Sequence, residues 1–323
     1  MTLLRRFYEE YARVLGWAAI RNFDEVEQTL RAHGYLDRVL KAAWPVVSPD
    51  RLVARLLTSK TSLAEAADGV LGPDEQRLLL RRRQQQWSED DVALVDEARA
   101  LVATPPHVFG HVIVDEAQDL TPMQLRMVAR RAATGSLTLL GDVAQATGPV
   151  LYRRWDEVLP HLPADEEAVV EELRHAYRVP REIMELALPL LDEIAPDIAA
   201  PISYRTGAAA PTIRAVAGEN VLVEAYREAA RLAEADGLLA VIAPDELVGE
   251  PLEDDLWDGV PVLTPRQAKG LEFDHVVVVE PALIAAHDQG LRELYVALTR
   301  PTKTLVVIHS RPLPAGLNHE RVA

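Results

Sequence analysis

The sequence predicts an α/β protein built on parallel sheets, with a helical segment ahead of them. Three observations predict it. Residues 1–105 carry apolar side chains at helical spacing almost throughout. From Phe109 onward, short β-rich runs alternate with helical stretches, the pattern of a parallel sheet covered by helices. Two of those runs, His111–Val114 and Leu137–Leu140, stop at carboxylates, Asp115-Glu116 and Gly141-Asp142.

The segments follow in order. Leu4–Leu15 has apolar residues at helical spacing. Trp87–Val102 opens with Ser88, followed three residues later by Asp91, a pattern that caps a helix start. Arg81–Arg83 is a short basic run, expected on a solvated helix face. Thr121-Pro122 begins a helix with proline at its first position. Glycine, proline and the acidic run Asp165–Glu167 cluster around Gly148 to Pro163 and mark a boundary. Beyond it a second α/β unit is expected. Its strands are Ala168–Glu172, Thr212–Val216, Leu238–Ala243, Val260–Leu263, Val276–Val279 and Thr304–Ile308. Its helices are Pro180–Leu191, Asn220–Glu234 and Leu291–Arg300. The division is thus 1–105 helical, 106–150 the end of a first α/β domain, and 151–323 a second.

Composition narrows the classes. The chain has 323 residues and 49% hydrophobic content, enough for a sizeable core, and no cysteine. Disulfides, thiolate metal sites and cysteine nucleophiles are excluded. The opening MTLLRRFYEEYARVLGW has no long apolar core and no small-residue cleavage site, so it is not a signal peptide. No run is long and apolar enough to span a bilayer, and a cytoplasmic protein is expected. Net charge is −16 and pI about 5.0. A surface that grips a phosphate backbone is usually basic, so the chain as a whole repels nucleic acid at long range.

Five stretches carry chemistry. In Val112–Asp119 an apolar strand ends in two adjacent carboxylates, placing charge in the crevice at the carboxyl edge of a parallel sheet. Asp115 suits Mg²⁺, which prefers hard oxygen ligands, and Glu116 suits polarising a water. The alternative is an acidic turn. In Leu139–Gln145 a strand ends at Gly141-Asp142, and Gln145 is placed to reach a terminal phosphate; Gly-Asp alone is more often a turn. In Leu173–Pro180, Arg178 offers charge to a phosphoryl transition state and Tyr177 a ring for a base, or both are ordinary surface residues. Thr264–Asp274 leads into one strand. Leu294–Arg300 leads into another, with Arg300 at a helix end, where the dipole favours a cation.

Taken together and in this order, these stretches resemble the motifs of superfamily-one helicases of the UvrD/Rep type, from about residue 109 to 310. The resemblance implies two RecA-like domains, of the P-loop NTPase type, with ATP and Mg²⁺ between them. It makes Asp115 the metal ligand and Glu116 the catalytic base. Gln145, with Asp142 beside it, senses the γ-phosphate, and Arg178 and Arg300 meet that phosphate from the second domain. Tyr177 stacks on adenine and Glu272 contacts the ribose. Lys269 and Gly270 share that last motif without an assigned role.

Departures from the pattern carry as much information. No G-x-x-x-x-G-K-[ST] loop is found; the nearest fragment is Ser59-Lys60-Thr61, with Ala54 where the first glycine belongs. Without that loop there is no cradle for the β- and γ-phosphates, so this chain alone is expected to be inactive, although the family hydrolyses ATP. The resemblance places the loop, and the remaining strands of the first sheet, in an N-terminal part of the same motor. The first sheet is therefore expected to expose an unpaired edge. After Gln145 the chain reads Ala146-Thr147-Gly148-Pro149, where strand-tracking members have base-stacking aromatics, and Arg266 replaces a nucleic-acid-contacting histidine. With Ala43–Pro49 and Thr121–Arg126, these departures resemble the HelD branch, ATPases that bind RNA polymerase and help release it from nucleic acid. RNA polymerase is then the expected partner and DNA a weak one. A fragment of a DNA helicase and a non-hydrolysing interaction fragment are the alternatives.

Overall fold

A computed structural model describes residues 47–82, 86–102, 107–162, 168–206, 209–248 and 259–317, with a few isolated positions before 47. Most of Leu4–Leu15, residues 43–46, Arg83 and Asp165–Glu167 lie outside the described residues. The chain divides into two compact units, Met1–Pro105 and Pro106–Ala323.

The described part of the first unit is helical: α1 Pro49–Thr58, α2 Lys60–Ala66, α3 Pro73–Leu79 and α4 Glu89–Val102. Val53 and Leu57 of α1 pack on Ala98, Leu94 and Val95 of α4. Ser59 joins α1 to α2, its side chain accepting the Ser62 amide. Ser59-Lys60-Thr61 is therefore a helix joint with lysine at the first helical position, not a phosphate loop. The start of α4 is capped as expected: Asp91 accepts from the Ser88 amide at 2.8 Å.

The basic run departs from expectation. Arg81 lies outside any helix, its amide bonded to Leu57 O and its guanidinium 2.6 Å from the buried Asp91 carboxylate. A carboxylate removed from water needs a countercharge, and the sequence pattern of three arginines gives no sign of that distant need.

The second unit holds the α/β part. β1 (Val112–Val114) and β2 (Leu137–Leu139) pair in parallel, Val112 opposite Leu137 and Val114 opposite Leu139. Among the described residues, the two strands pair only with each other, and Ile113 is exposed on this small sheet. Between them runs α5, Pro122–Ala129, opened by a reciprocal Thr121–Gln124 cap. Leu125 of α5 packs with Val143, Tyr152 and Val158.

The larger sheet contains β5 (Thr212–Ala215), β6 (Leu239–Ile242), β7 (Val262–Leu263), β8 (Phe273–Val279) and β9 (Pro301–His309). Its order is β5-β9-β8-β6-β7, and every pairing is parallel. Val276–Val279 of β8 and Leu305–Ile308 of β9 are unbroken apolar runs because both faces are covered there. Val277, Val279, Val306 and Ile308 point to one face, beneath α7 (Val221–Ala233). Val276, Val278, Leu305 and Val307 point to the other, beneath α6 (Arg181–Ile194) and α10 (Gly290–Leu298). Two short helices complete the unit, α8 (Pro265–Ala268) and α9 (Pro281–Ile284).

Two expectations are corrected here. Ala168–Glu172 is exposed and forms no strand; the strand lies further on, β3 at His175–Ala176, paired with β4 at Ile202–Ser203. The Val169-Val170 pair suggests β structure, but both valines face solvent with glutamates around them. The helix expected to run to Arg300 stops at Leu298, and Arg300 stands just ahead of β9. No described helix is long and apolar enough to cross a membrane.

The Asp91 carboxyl is held below the ordinary carboxylate range, first by the Arg81 bond and then by Ser88. A depressed value stabilises the folded form above the unfolded carboxyl's value of about 3.9, and the effect fades as pH falls through the lowered value. Arg81→Met is expected to lower the local stability of α1 and α4 near neutral pH and to flatten its loss in acid. Amide hydrogen exchange, corrected for intrinsic rates, checks this.

Candidate nucleotide site

The site is assembled at the end of β1. Asp115 follows the strand and accepts the Glu116 amide at 2.9 Å. Glu116 has φ 53° and ψ 34°, a left-handed conformation that costs a side-chain-bearing residue energy. Among the described non-glycine residues only Glu280 shares a positive φ. That turn aims Glu116 back at a short helical turn, Ala117–Asp119, whose Gln118 is fully buried.

Gln118 joins the two strand ends. Its Nε2 donates to Glu116 Oε2 at 2.6 Å, and its Oε1 accepts the Asp142 amide at 3.1 Å. Asp142 caps the turn Val143–Gln145, accepting from Ala144 N at 2.9 Å and from Gln145 Nε2 at 2.8 Å. Gln145 Oε1 in turn accepts from Arg300 Nη2 at 2.7 Å. A continuous hydrogen-bonded path therefore runs from Glu116 through Gln118, Asp142 and Gln145 to Arg300.

Arg300 is 1% exposed. Its Nε donates to Val296 O at 3.0 Å and its Nη1 to Leu271 O at 3.2 Å. Burial lowers its pKa to about 10, with Arg178 acting in the same direction and Glu116 and Asp142 opposing. At neutral pH it remains a cation.

The other expected residues gather around this path. Gly270 has φ 73°, and a Cβ there would lie 3.9 Å from Glu116 Oε1; the left-handed turn is what glycine supplies at no steric cost. Lys269 Nζ bonds Asp119 Oδ2 and Gln145 O, the latter at 2.6 Å, and lies 3.7 Å from Glu116. Arg178 Nε sits 3.8 Å from Glu272 Oε2, both side chains partly exposed. Tyr177 is 69% exposed and stacks on Tyr204, ring centroids 5.4 Å apart at 20°. The structure thus joins Glu116, Asp142, Gln145, Lys269, Gly270 and Arg300 in one cluster. Arg178 and Glu272 form a separate pair, and Tyr177 an exposed aromatic stack.

Several residues of this neighbourhood escape sequence reasoning. Asp119 Oδ1 accepts the amides of Thr147 and Gly148 at 2.8 and 3.0 Å. Ser203 Oγ donates to Val179 O at 2.5 Å, and Arg205 Nη1 to Arg178 O at 3.1 Å, so β4 and its exit brace the Tyr177-Arg178 turn. Gln118 and Asp119 sit in the quoted acidic stretch, but their spacing alone cannot show which carboxylate is spent on backbone amides. Nothing in the local sequence around Tyr204 marks it. Arg266, in the place of a nucleic-acid-contacting histidine, pairs with Glu293 at 2.6 Å. Ala146 is fully buried, so the position directly after Gln145 faces inward.

Among the described residues no three or more His, Asp or Glu side chains form a group able to hold a metal. Two adjacent carboxylates still suffice for Mg²⁺ when phosphate oxygens and water fill the other positions. The donor set therefore fits a metal–phosphate ligand and not an all-protein cage.

Residues 259–308 match the UvrD-like helicase C-terminal domain, a span that includes Lys269, Gly270, Glu272 and Arg300. Among solved structures, the chain is similar to the C-terminal domain of a possible DNA helicase from Lactobacillus plantarum. Identity is 19% over 44% of this chain and 92% of that one, with a TM-score of 0.32. It is similar to a PRRSV helicase at 16% identity, covering 62% of this chain and 35% of that one, TM-score 0.38. It is also similar to an arterivirus nonstructural protein 10 helicase solved with DNA, at 15% identity over 79% and 51% of the two chains, TM-score 0.38. The chain spans 35% and 51% of the lengths of those two viral proteins. No curated protein matches.

A Cβ at Gly141 would collide with Gln118 Oε1 and crowd the Ala117 amide. Gly141→Ala is expected to break both Gln118 bonds and destabilise the chain by about 1–3 kcal/mol, the cost of leaving buried polar groups unpaired. Urea unfolding of the variant beside the parent measures it, and an unchanged midpoint contradicts it.

Proposed function

We propose that residues 106–323 carry the carboxylate-and-arginine side of an ATP site in a UvrD-like helicase-type motor. In this reading 106–150 belong to one RecA-like domain and 151–323 to a second. The observation that carries it is the hydrogen-bonded path from Glu116 to Arg300. It places a carboxylate and a buried cation at two ends of one rigid relay, with Gln145 between them. A catalytic base and an arginine that answer to the same phosphate need such a fixed relation.

The roles follow from position. Asp115, bonded only to the next amide, keeps carboxylate lone pairs for Mg²⁺ or its waters. Glu116 Oε1 is the proton acceptor for water, its orientation set by the left-handed turn and Gln118. Gln145 presents its side-chain amide between Asp142 and Arg300 and is the contact for a terminal phosphate. Arg178 and Arg300 supply cationic donors to that phosphate. Tyr177 offers its open ring to the base, and Glu272, beside Arg178, accepts from the ribose. Bound ATP with Mg²⁺ supplies the phosphoanhydride whose cleavage drives the motor. The phosphate cradle is not among these residues, so the reading assigns it to a further segment of the same motor.

Within that class we infer a HelD-like motor that remodels complexes of RNA polymerase with nucleic acid. Net charge of −16 opposes long-range attraction of a strand. Buried Ala146 leaves no base-stacking ring after Gln145, and Arg266 stands where strand-tracking members have a histidine, paired with Glu293.

Calorimetric titration of the purified chain with Mg-ATP tests the site. Millimolar-range binding is expected, weakened about tenfold or more by Arg300→Ala or Arg178→Ala through loss of a charge-assisted contact. Binding indifferent to both changes rejects the site. Turnover by this chain that Glu116→Gln abolishes would show the phosphate cradle to be unnecessary. For the partner, RNA polymerase should be retained on immobilised chain while a single-stranded oligonucleotide is not, at about 0.15 M salt. Tight oligonucleotide binding at that salt rejects the HelD-like part alone.

A further inference from the structure

The turn that carries Gln145 is gripped by side chains from far along the chain. Lys269 donates to Gln145 O at 2.6 Å, to Thr147 Oγ1 at 3.4 Å and to Asp119 Oδ2. Arg292, on α10, donates through Nη1 to Val143 O and through Nη2 to Ile194 O at 2.6 Å. Gln289, just before α10, donates through Nε2 to Gly148 O at 2.9 Å. Arg300, just after α10, takes the Gln145 side chain. Four long side chains thus hold four residues of the turn Val143–Gly148: Val143, Gln145 and Gly148 at their carbonyls, and Gln145 and Thr147 at their side chains.

Two of these cations are placed at a desolvation cost. Lys269 is 8% exposed and Arg292 is 7% exposed. Arg292 has no carboxylate among its hydrogen-bond partners; it is held by two carbonyls, one of them at the C-terminal end of α6, where the helix dipole favours a cation. Buried cations persist only where their donors are fully used. Asp119 completes the arrangement from below, its Oδ1 taking the Thr147 and Gly148 amides and its Oδ2 taking Lys269.

We propose that Lys269 and Arg292 are positioning residues that fix the Val143–Gly148 turn, and through it the Gln145–Arg300 pair, with Asp119 as the anchor on the β1 side. This gives Lys269 a role toward the protein's own backbone and adds Arg292 and Asp119 to the site. It rests on the reading of Gln145 as the phosphate contact, but the geometry it claims can be measured without nucleotide.

Amide hydrogen exchange and side-chain NMR of the intact chain test it. Lys269→Met should speed exchange of the Ala144–Gly148 amides about tenfold or more, as loss of a charge-assisted bond opens a local unit. Val276–Val279 and Leu305–Ile308 should exchange as in the parent. The Gln145 side-chain amide resonances should move, although Lys269 touches only the Gln145 main chain, and Lys269→Arg should return them toward their parent positions. Arg292→Lys keeps a charge but cannot span two carbonyls, and should loosen the same amides. Unchanged exchange at 144–148, or acceleration shared equally with the β8 and β9 cores, overturns the proposal. If Lys269→Met does not fold, Asp119→Asn breaks the same ion pair from the other side and is read by the same criteria. Parent-like exchange in the variants, with Mg-ATP binding still dependent on Arg300, rejects this inference and leaves the nucleotide site standing.

Discussion

A guanidinium kept almost dry fixes the rest of this site. Arg300 is 1% exposed, and a cation so placed must be given acceptors from every direction or lose its charge. It draws on the last turn of α10 through Val296, on the loop before β8 through Leu271, and on Gln145 through its side chain. Three segments far apart in sequence are therefore held at one point. Helix α10 ends at Leu298 and Pro301 starts β9 at once, so the Val296 carbonyl, which also accepts from Thr299, is left within reach of Arg300. The apolar sheet beneath makes the arrangement affordable: Leu294, Ala297 and Leu298 on α10 are all buried against it.

The same logic explains why a side-chain amide suits position 145. A side-chain amide has one acceptor and one donor end. Here the acceptor end goes to Arg300, the donor end to Asp142, and the main-chain carbonyl to Lys269. A carboxylate at 145 would satisfy Arg300 and repel Asp142; a hydrocarbon would leave Arg300 short of an acceptor. A side-chain amide answers both neighbours and keeps a second N–H to offer.

How much of this could be read in the sequence follows from the range of the forces involved. The apolar runs Val276–Val279 and Thr304–Ile308 were legible because burial on both faces of a parallel sheet demands continuous hydrophobicity, and that demand is local. Thr121-Pro122 and Ser88 were legible because caps act within four residues. The exposed Val169-Val170 misled for the complementary reason: β-branched residues were present, but the partner strand that would bury them was not. The two-residue strands β3 and β4 were too short for any period to show. The order of motifs located Glu116, Gln145, Lys269, Gly270 and Arg300, which the fold brings into one cluster. The partners of Arg81, Lys269 and Arg292 were not legible, because each lies across a distance set by tertiary packing: ten residues for Arg81 and Asp91, 150 for Lys269 and Asp119, 149 for Arg292 and Val143.

Charge then separates two uses of one framework. A motor that tracks a strand turns aromatic and basic groups outward, where bases and phosphates can reach them. In this chain Ala146, Arg292 and the side chain of Lys269 are buried, and Arg266, though exposed, is paired with a carboxylate. Ala146 is packed away, Arg266 is neutralised by Glu293, and Lys269 and Arg292 are spent on the backbone of the Val143–Gly148 turn.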